Sequence, residues 1–213
     1  MCIRDRFPPS FWDTVCNDVL FPIFNVLRNR SDVTRFSTHE DMSVWLSTTM
    51  IQALRHLIAL WTHFFDTLQS RLGGLLELLC ACICQENDTL ARIGTACLQQ
   101  LIVQNLTHMD ASAWELVADA FLRLFRATIA TQVFDPALSS TEHAMPATER
   151  RAAFKQIIVK CVLQLLLIET AHELLQDTAV YEAVPVAQLL RLTAALEDSY
   201  RFCLLYTSDA ADD

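Results

Sequence analysis

Apolar residues return every three or four positions along most of this chain, and the polar gaps between them are short. Between Gln85 and Leu101, a polar turn of Glu86, Asn87 and Asp88 gives way to Leu90, Ile93, Ala96 with Cys97, and Leu101, the spacing of one buried helical face. The same period runs through Trp12, Val15, Val19, Ile23 and Val26. There Ser10 stands where a cap is expected, and Pro22 is expected to kink the helix by removing a donor and crowding the turn before it. A long amphipathic segment from Met42 to Leu72 carries Trp45, Ile51, Leu54, Ile58, Trp61, Phe65 and Leu68, and Gly73-Gly74 is expected to end it. Leu75–Cys84 reads as a helix apolar nearly all round. Ser112 and Glu115 have capping-box spacing for a helix through Trp114, Val117, Phe121, Leu124 and Phe125. Glu149–Leu175 and Pro185–Phe202 complete the series.

Two stretches lack the period and read as loops: Arg28–Asp41, and Thr131–Thr148 with Pro136, Pro146, Ser139 and Ser140. No strand pattern of useful length occurs. The expected fold is all-α, a HEAT/armadillo-like α-solenoid of about seven helices whose hairpins stack on a continuous core. No strict sequence period marks the repeats, so the solenoid is a reading of geometry. Composition agrees with packed helix, since 53% of residues are hydrophobic and only 3 of 213 are glycine. The richest apolar run, Cys161–Ile168, falls far short of the ~20 residues a membrane span needs and reads as a helix buried on most sides.

The two ends change how the charge is counted. A coding strand for Met1–Arg6, read as its reverse complement, encodes Cys-Leu-Leu-Tyr-Thr, the sequence of Cys203 to Thr207. Protein ends have no physical reason to encode each other, whereas a sequencing adaptor joined at both ends does. Residues 1–6 and 203–213 are therefore read as adaptor-encoded, and Phe7–Phe202 as an internal fragment of a longer helical-repeat protein. Setting aside Arg4, Arg6 and four aspartates moves the net charge from −9 to −7, and six of the eight cysteines remain. An acidic chain whose lysines are Lys155 and Lys160 is a poor partner for nucleic acid. The cysteines show no disulfide framework.

Candidate chemistry is sparse. Cys80, Cys82 and Cys84 form CACIC, but Cys82 points away from the other two on a helix and no second ligand pair follows, so they read as small core residues. His56 and His63 lie two turns apart, too far for joint ligation. No phosphate-cradling or nucleophile-elbow motif is present, and three glycines leave little room for one. No catalytic residue, cofactor site or metal site is assigned. The candidate residues are structural or interactive. Asp88 and Arg92 form either a helix start with an i,i+4 ion pair or a rung of a repeat-to-repeat ladder. Gly94 inside the same helix costs about 1 kcal/mol relative to alanine, which points to a close neighbour. Arg28, Arg30 and Arg35 form a basic loop that is either a solvated turn or a contact for anionic lipid or an acidic partner.

Several blocks resemble one known family. Phe11–Leu27 (FWDTVCNDVLFPIFNVL), Thr38–Leu68, Leu75–Leu101, Phe154–Thr170 (FKQIIVKCVLQLLLIET) and Leu189–Phe202 (LLRLTAALEDSYRF) are similar, in order, to the region after the catalytic domain of large Arf guanine-nucleotide exchange factors. The subfamily is the brefeldin-A-inhibited, Sec7 type, and the wording is closest to fungal members. The likeness weakens over Asp110–Arg150. It implies a parent acting on Arf GTPases at trans-Golgi membranes through a separate catalytic domain. No segment here matches that domain's active-site loop. What it implies for this segment is regulation in the cytoplasm: autoinhibition, homodimerisation, or recruitment to membrane and GTPase. The alternative is a helical-repeat scaffold from another trafficking or transport protein, with an enzyme a distant third.

Overall fold

The computed structural model describes residues 8–24, 49–134 and 146–209. Arg28, Arg30 and Arg35 lie outside them, as do Val26 and Trp45 and the middle of the loop expected at Thr131–Thr148. The fold is all-α, with no strand among the described residues.

The first helix, α1 (Pro9–Thr14), has Pro8 at its N-cap, so Ser10 does not cap it; proline suits the first helical position because its missing N–H would lack an intrahelical partner anyway. The kink expected at Pro22 takes the form of a wide π turn, Val15–Leu20, followed by a tight 3₁₀ turn, Phe21–Phe24. The long segment expected up to Leu72 is divided. Helix α2 (Ile51–His63) stops at Phe64, whose φ of −118° and ψ of 27° leave the helical region. A single turn, Phe65–Leu68, and a 3₁₀ turn, Gln69–Arg71, then lead into α3 (Leu72–Ile83).

Gly73 and Gly74 therefore begin a helix instead of ending one. Neither has positive φ. A Cβ on Gly74 would stand 2.8 Å from the Phe21 ring, which in turn stacks on Trp61 at 6.1 Å between centroids. The glycine is there for close approach, a use that termination chemistry does not anticipate.

Helix α4 (Asp88–Gln104) is capped by Asn87, whose Oδ1 accepts from the Leu90 amide at 3.0 Å. Helix α5 (Ala111–Thr128) is capped by Asp110, with Oδ1 accepting from the Ala113 amide at 2.8 Å. That displaces the expected Ser112 box, because the extended backbone of Asp110 already presents an acceptor to the free amides. A 3₁₀ turn at Thr131–Phe134 follows, then α6 (Ala147–Gln176), the short α7 (Thr178–Ala183) capped by Asp177, and α8 (Val186–Asp209). The sequence reading missed α7, and α8 runs on past Phe202.

Helices α4 and α5 occupy the middle. The first packs against α2, α3 and α6; the second packs against α3, α6 and α8. One apolar cluster joins them, with Trp61, Leu68, Leu72, Leu79, Ile83, Leu101 and Phe125 at its centre. Each large side chain so buried contributes about 1.5–3 kcal/mol relative to exposure. A buried polar chain ties three helices together: the Thr128 hydroxyl donates to Gln164 Oε1, and Gln164 Nε2 donates to Ser199 Oγ at 2.8 Å. Each member has a partner, which removes the 1–3 kcal/mol cost of an orphaned buried group.

Candidate functional site

The α3–α4 hairpin holds most of the residues singled out from sequence. Asp88 is the first residue of α4, and the cap is Asn87 beside it. Arg92 Nε donates to Asp88 Oδ2 at 2.9 Å, one turn apart, with both side chains more than half exposed. That hydrogen bond, then the Asp88 charge and, further off, Glu169 of α6 raise the Arg92 guanidinium above its ordinary pKa. The hydrogen bond itself lies within α4, and the field of Glu169 reaches Arg92 from α6. Gly94 is buried against the preceding helix: a Cβ there would lie 2.8 Å from Ile83 Cγ1 and 3.3 Å from the Ile83 backbone nitrogen.

The cysteines divide by position. Cys82 is fully buried, Cys80 is half-buried with its Sγ 3.9 Å from the Ala120 carbonyl, and Cys84 is exposed. Burial pushes the Cys80 and Cys97 thiols up to about 11, so both stay protonated and unreactive near neutrality. No cluster able to hold a metal occurs among the described residues. His56 and His63 are both exposed, His63 with its ring edge-on to Phe64.

Two polar places were not anticipated. At the break after α2, His108 Nδ1 lies 2.8 Å from Asp66 Oδ1, beside a pocket of about 200 Å³ that Thr62 also lines. The Thr62 hydroxyl donates to Gln104 at 3.2 Å and is not bonded to the imidazole, so the trio lacks the hydroxyl–base contact of a nucleophilic site. A trough of about 350 Å³ between α3, α5 and α8 gathers Arg123, Arg126 and Arg191 with Glu77 and Asp119. Arg191 is held by Asp119 and by Gln188 at 2.9 Å, and Arg123 reaches Glu77 at 4.0 Å. Much of its charge is spent internally.

The apolar surface is less expected still. The Cys161–Ile168 run is not buried on most sides: Leu163, Leu166 and Leu167 are buried, while Val162 and Leu165 are exposed. They continue a stripe through Phe154 and Ile158, and α8 exposes Val186, Leu190 and Tyr200. A stripe of this kind marks a contact surface when several large side chains share one face.

Comparison with known proteins places this helical assembly. The chain is 32% identical to the ADP-ribosylation factor guanine nucleotide-exchange factor SEC7 of Saccharomyces cerevisiae, over 96% of its own length and 15% of the yeast protein. It is 34% identical to the exchange factor sec72 of Schizosaccharomyces pombe over 96% of the chain and 13% of that protein. The chain is homologous to the Sec7-type Arf exchange factors. Human brefeldin A-inhibited guanine nucleotide-exchange protein 1 matches at 26% identity over 60% of the chain. The family model described as the BIG2 C-terminal domain matches residues 162–211, which take in the C-terminal half of α6 together with α7 and α8. The chain spans well under a fifth of the length of the fungal relatives. No solved structure matches it. Of the two helical-repeat readings, the relatives favour the exchange-factor one. No helix among the described residues is long and apolar enough to cross a membrane.

Proposed function

We propose that this chain is a non-catalytic regulatory or scaffold segment of an Arf guanine-nucleotide exchange factor. It tunes the parent's exchange activity through contacts: autoinhibition, homodimerisation, or recruitment to Arf-family GTPases at the Golgi membrane. Its place is in the cytoplasm, peripherally attached to trans-Golgi membranes. Asp88, Arg92 and Gly94 serve as a structural joint between α4 and its neighbours, and Arg28, Arg30 and Arg35 as a contact for an acidic partner or lipid surface. No cofactor or metal is required.

The carrying observation is the pairing of two facts. Relatives named as exchange factors match this chain along 96% of its length, and α6 and α8 leave large apolar side chains exposed on their surfaces. A helical face of this kind exchanges burial for affinity; it supplies no group for proton or phosphoryl transfer.

The test is nucleotide release from an Arf GTPase, driven by an exchange factor that lacks its own matching segment, with this chain added in trans. The expected result is a saturable change in release rate, in either direction. An unchanged rate at every concentration, with no binding of the chain to the truncated factor, to Arf or to Golgi-like vesicles, would sink the reading.

A further inference from the structure

Leu116, Asp119, Leu122 and Arg126 recur three or four positions apart along α5 and share one of its faces, which Ile129 continues just past the helix end. Two cavities, of about 350 and 240 Å³, follow this face and share Leu122, Arg126 and Arg191. Helix α3 walls the first with Leu76 and Glu77, and α8 walls the second with Ala195 and Asp198. The result is one trough from Leu116 to Ile129, roughly 20 Å long. Leu116, Leu122 and Ile129 are half-buried along its floor, and the side chains of Arg123 and Arg126 stand exposed at its rim.

Most of the rim charge is used within the chain. Asp119 and Gln188 hold Arg191, while Arg123 reaches Glu77 only at 4.0 Å, with both of those side chains about half exposed. Two rim charges are left over. Among the described residues, neither Arg126 nor Asp198 has an ion pair or a side-chain hydrogen bond. Arg126 stands where the cavities meet, and Asp198 lines the second one alone.

These features select an occupant. The walls are helices that keep their backbone hydrogen bonds to themselves, so an extended peptide would bury amides and carbonyls with nothing to pair them. A helix brings its own backbone satisfied and matches a groove of this length with about thirteen residues. Leftover charges of both signs disfavour a uniformly anionic surface such as a bilayer or nucleic acid. They suit a partner with one carboxylate and one basic residue beside an apolar ridge. The chain as a whole carries −9, so a carboxylate is drawn to the arginines here and repelled elsewhere.

We infer that the trough along α5 is a docking groove for an amphipathic helix of a partner protein, one that brings a carboxylate to Arg126 and a basic residue to Asp198. The inference rests on the proposed function for one point, that the chain works by contact. It involves none of the apolar side chains exposed on α6.

A phage-displayed library of random peptides about sixteen residues long, selected on the purified chain, tests it. Enriched sequences should carry apolar residues at helical spacing with an acidic and a basic residue beside them. By fluorescence anisotropy, Arg126→Glu should weaken an enriched peptide about tenfold or more, with an unchanged helical spectrum and unfolding midpoint. Replacing the peptide's carboxylate with lysine should weaken binding to the unaltered chain and restore binding to Arg126→Glu. Arg150→Glu, an equal charge change on α6, should leave the affinity as it was. A library without enriched helical sequences would overturn the inference, as would peptides that bind Arg126→Glu and the unaltered chain alike. So would an Arg126→Glu variant that loses flotation with anionic vesicles, or self-association, while its peptide affinity stands; the trough would then belong to a bilayer or a second copy. The in-trans exchange assay uses none of these peptides, so the two readings fail separately.

Discussion

Helices α5 and α6 are neighbours built on opposite plans. In α5, Ala113, Trp114, Val117, Phe121, Leu124 and Phe125 form one buried face, and Glu115, Arg123 and Arg126 cover the other. In α6, apolar residues stand on both faces, and only the inner one is covered. A one-faced helix spends its apolar surface within the fold. A two-faced helix has surface left over for something outside it, and that difference separates apolar surface spent on stability from apolar surface still available for contact.

The sharpest way to break the comparison is to truncate one large side chain on each plan. Phe125→Ala should cost about 3–5 kcal/mol by urea unfolding, as large-to-small core changes do, whereas Leu165→Ala should stay within about 0.5 kcal/mol. Equal losses would mean that α6's outer face is part of the fold.

High pH probes the same buried half. Cys80 and Cys97 have folded pKa values raised from 9.0 to about 11, so above pH 9 the unfolded thiols ionise before the folded ones. The unfolded state then holds fewer protons, and stability falls by up to a few kcal/mol between about pH 9 and 11. Replacing both cysteines with alanine should flatten that slope in unfolding measured across the range.

The glycines give a contrast of sign. Gly94→Val should destabilise by about 1–3 kcal/mol, because its Cβ meets Ile83 backbone as well as side chain and overpacking outweighs helix propensity. Gly73→Ala meets nothing nearer than 3.9 Å and should stabilise by about 0.5–1 kcal/mol. Thermal melts of the two variants should move in opposite directions. On a similar scale, Asp110→Ala should cost about 1 kcal/mol as a lost cap, while Ser112→Ala beside it should cost nothing measurable.

What sequence could reveal follows the same division. The faces of α4 and α5 were legible because a one-sided apolar stripe repeats at helical spacing, and the polar turn before Asp88 named the start of α4 within a residue. The caps were less legible. Asn87 and Asp110 compete with adjacent polar residues, and backbone angles choose among them. Gly73-Gly74 misled because a glycine pair serves termination and close approach equally well, and the Phe21 ring that decides between them lies over fifty residues away. The two faces of α6 were hidden for a related reason: a helix apolar on both sides has no amphipathic period to read. Gln164, a lone amide inside Cys161–Ile168, was the one available sign of the buried chain to Thr128 and Ser199.

The proposed function requires that this chain act by contact, without exchange activity of its own. Release of a fluorescent guanine nucleotide from an Arf GTPase, with the purified chain as sole addition, tests that claim most directly. The predicted release rate equals the spontaneous one at every chain concentration. A rate that climbs with added chain would contradict the account outright.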